Sequence, residues 1–174
     1  GSRGFESRCP LFFYAMNEWS LIIDATPCAG SWNMAVDEHL LESLSGAGET
    51  VVRFYRWARP TASLGYSQSV EKAVDLELCR NLGIDVVRRI TGGKLVLHDK
   101  EITYSVSATD ASVFSSTLTD SYRLISKALI RGLERMGLGA SLAGPPPTSY
   151  RGGVMPCFSF PARDEIAIQG RKIV

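Results

Sequence analysis

The chain has 174 residues, of which 45% are hydrophobic and 21% charged, the length and composition of a single globular domain with a core of its own. Nineteen basic and eighteen acidic side chains leave a formal charge of +1, so no sequence-wide attraction draws the chain to nucleic acid or to an anionic membrane, and neither is expected as a partner. No apolar run approaches the ~20 residues of a membrane-spanning helix. The four cysteines, Cys9, Cys28, Cys79 and Cys157, lie far apart without CxxC spacing, so neither a zinc site nor a redox pair is expected.

The first fifteen residues, GSRGFESRCPLFFYA, are basic and then apolar. Their apolar run is too short for a signal peptide, and no small-x-small cleavage site follows. They read as a non-native leader such as an expression scar, with Met16 as the expected native start and residues 16–174 as one domain. Without a secretory signal, Cys28, Cys79 and Cys157 are expected as reduced thiols in a cytoplasmic protein.

Trp19–Asp24 reads as a strand. Ser31 is a candidate cap for a helix to about Leu44, whose buried stripe would be Trp32, Ala35, Val36, Leu40 and Leu44. Gly46 and Gly48 would end it. Val51–Trp57 is β-branched and aromatic, a strand signal, and Thr61–Tyr66 follows Pro60 as another. Asp75 caps a predicted helix to Asn81, stopped by Gly83. Ile84–Arg89 and Glu101–Ala108 are predicted strands. Leu118, Tyr122, Ile125, Leu129, Leu133 and Met136 step by three or four, which predicts a long amphipathic helix. Gly144–Gly153, rich in Pro and Gly, is predicted to be a mobile loop. Glu165–Ile168 and Arg171–Val174 read as a hairpin around Gln169-Gly170. Strands in pairs between helices favour a mixed sheet over a strict alternation of strand and helix.

Three places carry candidate chemistry. In Arg88-Arg89-Ile90-Thr91-Gly92-Gly93-Lys94-Leu95-Val96-Leu97-His98, paired glycines let the backbone turn sharply and approach a ligand, and their N–H groups suit a carbonyl or phosphate oxygen. Arg88 and Arg89 offer charge-assisted bonds, but strand geometry points them to opposite faces, so only one should face a site. A Gly-Gly hairpin turn with surface arginines is the alternative. Cys157, after the flexible loop, is a candidate nucleophile or a packed small side chain. Lys172, fifteen positions later, would favour the thiolate if near Cys157, or else sits exposed on a strand. His98 is a candidate base or a structural hydrogen-bonding residue. His39, mid-helix, reads as structural or solvated. No G-x-S-x-G elbow and no G-x-x-x-x-G-K-[ST] phosphate loop occurs.

Taken in order, Asn33-Met34-Ala35-Val36-Asp37-Glu38, Arg53-Phe54-Tyr55, Leu64-Gly65-Tyr66, Arg88-Arg89-Ile90-Thr91-Gly92-Gly93 with Val96 and His98, Glu101-Ile102-Thr103-Tyr104-Ser105, and Cys157-Phe158 leading to Glu165-Ile166 and Gly170-Arg171-Lys172 resemble the biotin/lipoate protein ligase and octanoyltransferase family. The resemblance runs from Trp19 to Val174. It implies an α/β (α+β) fold: a mixed, largely antiparallel sheet flanked by helices, like that of class II synthetases and biotin ligases.

Within that family the chain looks most like the cysteine-dependent octanoyltransferases. The resemblance then implies that octanoyl (or lipoyl) passes from acyl carrier protein to Cys157 and on to a lysine of a lipoyl domain. Lys172 matches the lysine that lowers the thiol pKa. Arg88, Arg89, Thr91, Gly92, Gly93 and His98 match the wall of the acyl pocket. No tightly bound cofactor is implied.

Two departures stand out. Lys94 and Leu95 occupy positions where the family commonly has glycine or alanine, so Leu95 is expected either to narrow the pocket and change acyl-chain preference or to block a nucleotide. Family members usually continue past the position of Val174, so the domain is expected to be incomplete at its C-terminus. Three alternatives stay open: a lipoate–protein ligase using ATP and Mg, an acyl-ester or thioester hydrolase at the same cysteine, and a non-catalytic binding module.

Overall fold

A computed structural model describes residues 11–16, 19–44, 49–109, 113–114, 117–143 and 165–173. The chain divides into two compact units, residues 1–110 and 111–174.

The first unit carries two sheets. One has the order β1-β2-β3-β7, from β1 (Leu11–Met16), β2 (Trp19–Asp24), β3 (Thr50–Tyr55) and β7 (Thr103–Ala108). β1 and β2 run antiparallel, β2 and β3 parallel, and β3 and β7 antiparallel. The other has the order β5-β4-β6, from β4 (Thr61–Leu64), β5 (Asp85–Arg88) and β6 (Val96–His98). β4 runs parallel to β5 and antiparallel to β6. As the central strand, β4 is buried at all four positions, which its small residues Thr61, Ala62 and Ser63 permit.

Helix α1 (Gly30–Ser43) follows β2, and two short helices, α2 (Val70–Ala73) and α3 (Leu76–Asn81), bridge β4 to β5. The second unit holds α4 (Leu118–Arg135) and an antiparallel sheet of β8 (Ala140–Leu142), β9 (Ile166–Ile168) and β10 (Arg171–Lys172), in the order β10-β9-β8. The mixed, mostly antiparallel character expected from the sequence is present.

Several sequence expectations hold in detail. Trp19–Asp24 is a strand. The Asp75 side chain accepts from the Leu78 N–H and starts α3, and Gly83 takes a positive φ after it. The 118–135 helix forms, and Gln169-Gly170, both with positive φ, make the turn of the β9–β10 hairpin. Others are corrected. The N-cap of α1 is Ala29 rather than Ser31, and the helix buries Gly30, Asn33 and Asp37 while Ala35 stays exposed. Residues 11–15, set outside the fold in the sequence reading, form with Met16 a strand that pairs with β2 through a six-residue register. Cys79 is a free thiol, but Cys28 is disulfide-bonded, against the expectation that both are reduced. Gly46, Gly48 and the 144–153 segment lie outside the described residues.

The polar face of α1 has a cause. Arg53 on β3 is fully buried and its guanidinium points at that helix. It donates to the Asp24 carboxylate at 2.5 Å, to Asp37 at 2.8 Å, and to the Asn33 carbonyl and side-chain oxygens at 3.0 and 2.9 Å. Tyr55, two residues on and so on the same strand face, donates its hydroxyl to Asp37 at 3.0 Å and lies under the guanidinium. Burial, then the neighbouring Asp37 carboxylate, raises the Tyr55 phenol far above its ordinary range, so it remains a donor. Ser105 on β7, paired in register with Arg53, completes the shell of Asp37 with a 2.7 Å bond. The Asn-x-x-x-Asp and Arg-x-Tyr stretches thus fold into one ionic cluster that ties α1 to β2, β3 and β7.

Candidate functional site

The segment after β5 returns along β4 as a loop built on Thr91, Gly92, Gly93 and Lys94, and then enters β6. Its carbonyl groups are held by the rest of the unit. Thr91 O accepts from the Tyr66 N–H at 2.8 Å. The Arg89 guanidinium donates to Gly92 O at 3.2 Å and Lys94 O at 2.9 Å, and its other nitrogen donates to Ser63 O at 2.6 Å and Ser63 Oγ at 2.7 Å. Gly93 O lies against Gly65, so closely that a Cβ built on Gly65 would sit 2.0 Å from it. Gly93 itself has φ +98°, a conformation glycine adopts without strain.

In a trans peptide the N–H points opposite to the C=O before it, and every described peptide is trans. Holding the carbonyls of Thr91, Gly92, Gly93 and Lys94 inward therefore turns the N–H groups of Gly92, Gly93, Lys94 and Leu95 away from those anchors. Residues 91–94 are exposed. N–H groups turned away from the anchors on an exposed turn can meet a carbonyl or phosphate oxygen.

Arg88 holds the other side. Its guanidinium donates to Gly65 O at 2.9 Å and to Tyr66 O and Gln68 O at 2.8 Å, fastening the turn after β4. Both arginines therefore direct donors to main-chain oxygens. Arg88 fastens the turn after β4, and Arg89 fastens the glycine turn.

His98, at the end of β6, is buried. Its Nε2 is 2.7 Å from Ser63 Oγ and its Nδ1 is 2.5 Å from Glu101 Oε1. The ring stacks on Trp57 with centroids 4.1 Å apart, and the Trp57 indole donates to Thr103 Oγ1 at 2.7 Å. Burial lowers the His98 pKa below its ordinary 6.5, against the pull of the Glu101 carboxylate. For Glu101, burial acts to raise the pKa, but the Asp99 N–H and His98 outweigh it and the net shift is downward.

Sequence reasoning reached His98 but missed Ser63, Trp57 and the role of Glu101. The i,i+3 spacing of His98 and Glu101 carried a signal; the position of Ser63 carried none, because its contact spans 35 residues.

The His98 shift has a consequence for stability. The unfolded chain takes up this proton first as pH falls through 6.5, so stability is full above that value and declines below it until the folded-state pKa is passed. Thermal melts in steps from about pH 7.5 to 5 should show a falling midpoint, and His98→Gln should flatten that limb; an unchanged slope in the variant would place the proton uptake elsewhere.

Lys172, in the second unit, is not the exposed lysine of the alternative reading. Its side chain is 7% exposed and donates to Glu165 Oε1 at 2.7 Å. Cys157 lies outside the described residues.

Known proteins are similar to this chain over most of its length. The octanoyltransferase LipM of Carboxydothermus hydrogenoformans is 42% identical over 161 residues, which cover 91% of this chain and 59% of that protein. The structure of lipoate-protein ligase A bound with ATP superposes with a TM-score of 0.66 at 27% identity, covering 90% of this chain and 58% of that one. A bi-partite lipoate protein ligase of Thermoplasma acidophilum, studied with its E2 lipoyl domain, gives 0.63 at 26%, covering 86% of this chain and 49% of that one. The chain spans just under three fifths of the length of the first of these. Residues 29–174 match the lipoyl protein ligase A/B catalytic domain, a stretch that takes in the ionic cluster apart from Asp24, the clamped glycine loop and the Glu165–Lys172 pair, and the chain belongs to that family.

Proposed function

We propose that this chain is the acyl-handling core of a cytoplasmic octanoyltransferase. Octanoyl leaves the thioester of acyl carrier protein for the Cys157 thiolate, and the amine of a lysine on a lipoyl domain then takes it from acyl-Cys157. The first step exchanges one thioester for another and is nearly isoenergetic. The second makes an amide and releases the thiol, which drives transfer forward. Lys172 favours ionisation of Cys157.

The observation that carries this reading is the exposed glycine turn anchored through the carbonyls of Thr91, Gly92 and Lys94, which leaves the N–H groups of the following residues turned away from those anchors. Both steps pass through a tetrahedral oxyanion, and pre-set N–H donors suit one; each such donor is worth roughly 3–4 kcal/mol. The higher identity to an octanoyltransferase than to the ligases, 42% against 26–27%, supports transfer from a thioester over adenylation.

The test is the intact mass of the full chain after incubation with octanoyl-acyl carrier protein. An octanoyl adduct that hydroxylamine removes, absent from Cys157→Ala, is the expected result. An unmodified chain, or an adduct that persists in Cys157→Ala, overturns the reading. Similarity to a lipoate-protein ligase bound with ATP defines the second reading. It predicts pyrophosphate release from lipoate and ATP with Mg, unaffected by Cys157→Ala.

A further inference from the structure

Ser63, His98 and Glu101 stand in the order and at the distances of a nucleophile, its base and the base's orienting carboxylate. Ser63 cannot act as the nucleophile. It is fully buried in the central strand β4, and the Arg89 guanidinium donates to its oxygen. The hydrogen-bond arithmetic gives the group a different role. Ser63 Oγ receives one N–H from Arg89, so its own proton needs an acceptor. His98 Nε2 at 2.7 Å offers one; the next nearest, Val96 O, is at 3.5 Å. Nε2 must then be bare, the ring proton must sit on Nδ1, and that proton is donated to Glu101. The direction of every bond from Glu101 to Arg89 is fixed by this assignment. Arg89 in turn grips Gly92 O and Lys94 O.

We propose that Ser63, His98 and Glu101 are positioning residues: a one-way hydrogen-bond relay that orients Arg89 and through it sets the Gly92–Lys94 turn, and that only the neutral, Nδ1-protonated His98 completes it. A second proton on Nε2 would set two cationic donors against one serine oxygen and strand the serine proton. The charged groups facing His98 are Glu101 on its own turn and Arg89 from the segment after β5; Ser63 on β4 and Trp57 after β3 face it without charge. The consequence for acyl transfer rests on the function proposed above. The relay itself does not.

The test is nitrogen-15 NMR of the full chain without substrate. The chain has two histidines, so the ring signals of His98 are readily assigned by a His39→Gln comparison. The wild type should show a bare Nε2 and a protonated Nδ1. Its amide order parameters at Gly92, Gly93 and Lys94 should be near the rigid value of ~0.85. Ser63→Ala should lower these three toward ~0.6 and leave Thr91, held separately by the Tyr66 N–H, unmoved. Glu101→Ala, at a more exposed side chain, should populate the Nε2–H tautomer and loosen the same three residues. That variant decides the matter if Ser63→Ala does not fold. Lowering the pH through the His98 titration should loosen the wild-type turn in step with it.

A ring protonated at Nε2 in the wild type overturns the relay, as does a turn equally rigid in both variants. Acylation of Cys157 should slow by about ten- to a hundredfold in Ser63→Ala at saturating donor. A wild-type chain that never acylates defeats the transferase reading, while the NMR readouts still decide the relay.

Discussion

Replacing Arg53 with methionine will lower the stability of the fold by about 3–5 kcal/mol, the usual cost of removing one partner from a buried ion cluster. Arg53 is the cation between two buried carboxylates, and methionine restores much of its volume without its charge. Asp37 would keep two hydroxyl donors, from Tyr55 and Ser105. Asp24 would lose the guanidinium at 2.5 Å, and with it the charge that makes an ionised carboxylate tolerable in the interior. Urea unfolding followed by tryptophan fluorescence measures the loss. Adding Asp24→Asn to Arg53→Met should recover part of it, because an amide is less costly to bury than a carboxylate. A loss under about 1 kcal/mol for Arg53→Met would show that the cluster is not what ties α1 to the sheet.

On the transferase reading proposed above, Gly65→Ala should reduce acyl transfer roughly a hundredfold, the scale of effect that a displacement of about 1 Å in a group that positions the substrate produces. The new methyl would stand 2.0 Å from Gly93 O, 2.9 Å from its carbon and 3.2 Å from the Gly92 carbon. All three are backbone atoms, so no rotamer change relieves the clash and the turn itself must move. The turn is exposed, so the cost in stability should stay near 1–3 kcal/mol. Gly92→Ala is the control. Its Cβ meets nothing within 4 Å and its φ is not positive, so it should melt within about 0.5 kcal/mol of the wild type. Single-turnover acylation and thermal melts on both variants check the contrast; equal behaviour of the two alanines would refute the close-approach argument.

Most elements were legible in the sequence because their signals are local. The Asp75 cap, the glycine after α3, the three-four stepping of 118–135 and the Gln-Gly turn each act within a few residues. α1 shows the limit of such reasoning. Its apolar residues suggested a buried stripe from Trp32 to Leu44, yet its most buried side chains are Asn33 and Asp37, because an arginine 16 residues beyond Asp37 enters that face. β6 and β8 were too short to leave a pattern.

The glycine loop was legible as a place for chemistry, from residue types and from the resemblance. The assignment of its parts was not. Arg88 and Arg89 looked like ligand-binding cations, and only the path of the chain after β4 and β5 shows where their donors go. Ser63 left no trace, since nothing in Thr61–Leu64 foretells which side chain will meet a histidine on β6.

The grip of Arg89 has one more consequence. On the turn side it holds the main-chain oxygens of Gly92 and Lys94, and such oxygens are present whatever side chain the residue bears. The hoop can therefore keep its shape while its upholstery changes. Leu95, which follows the held Lys94 carbonyl, can thus be exchanged for a smaller side chain without unfastening the turn.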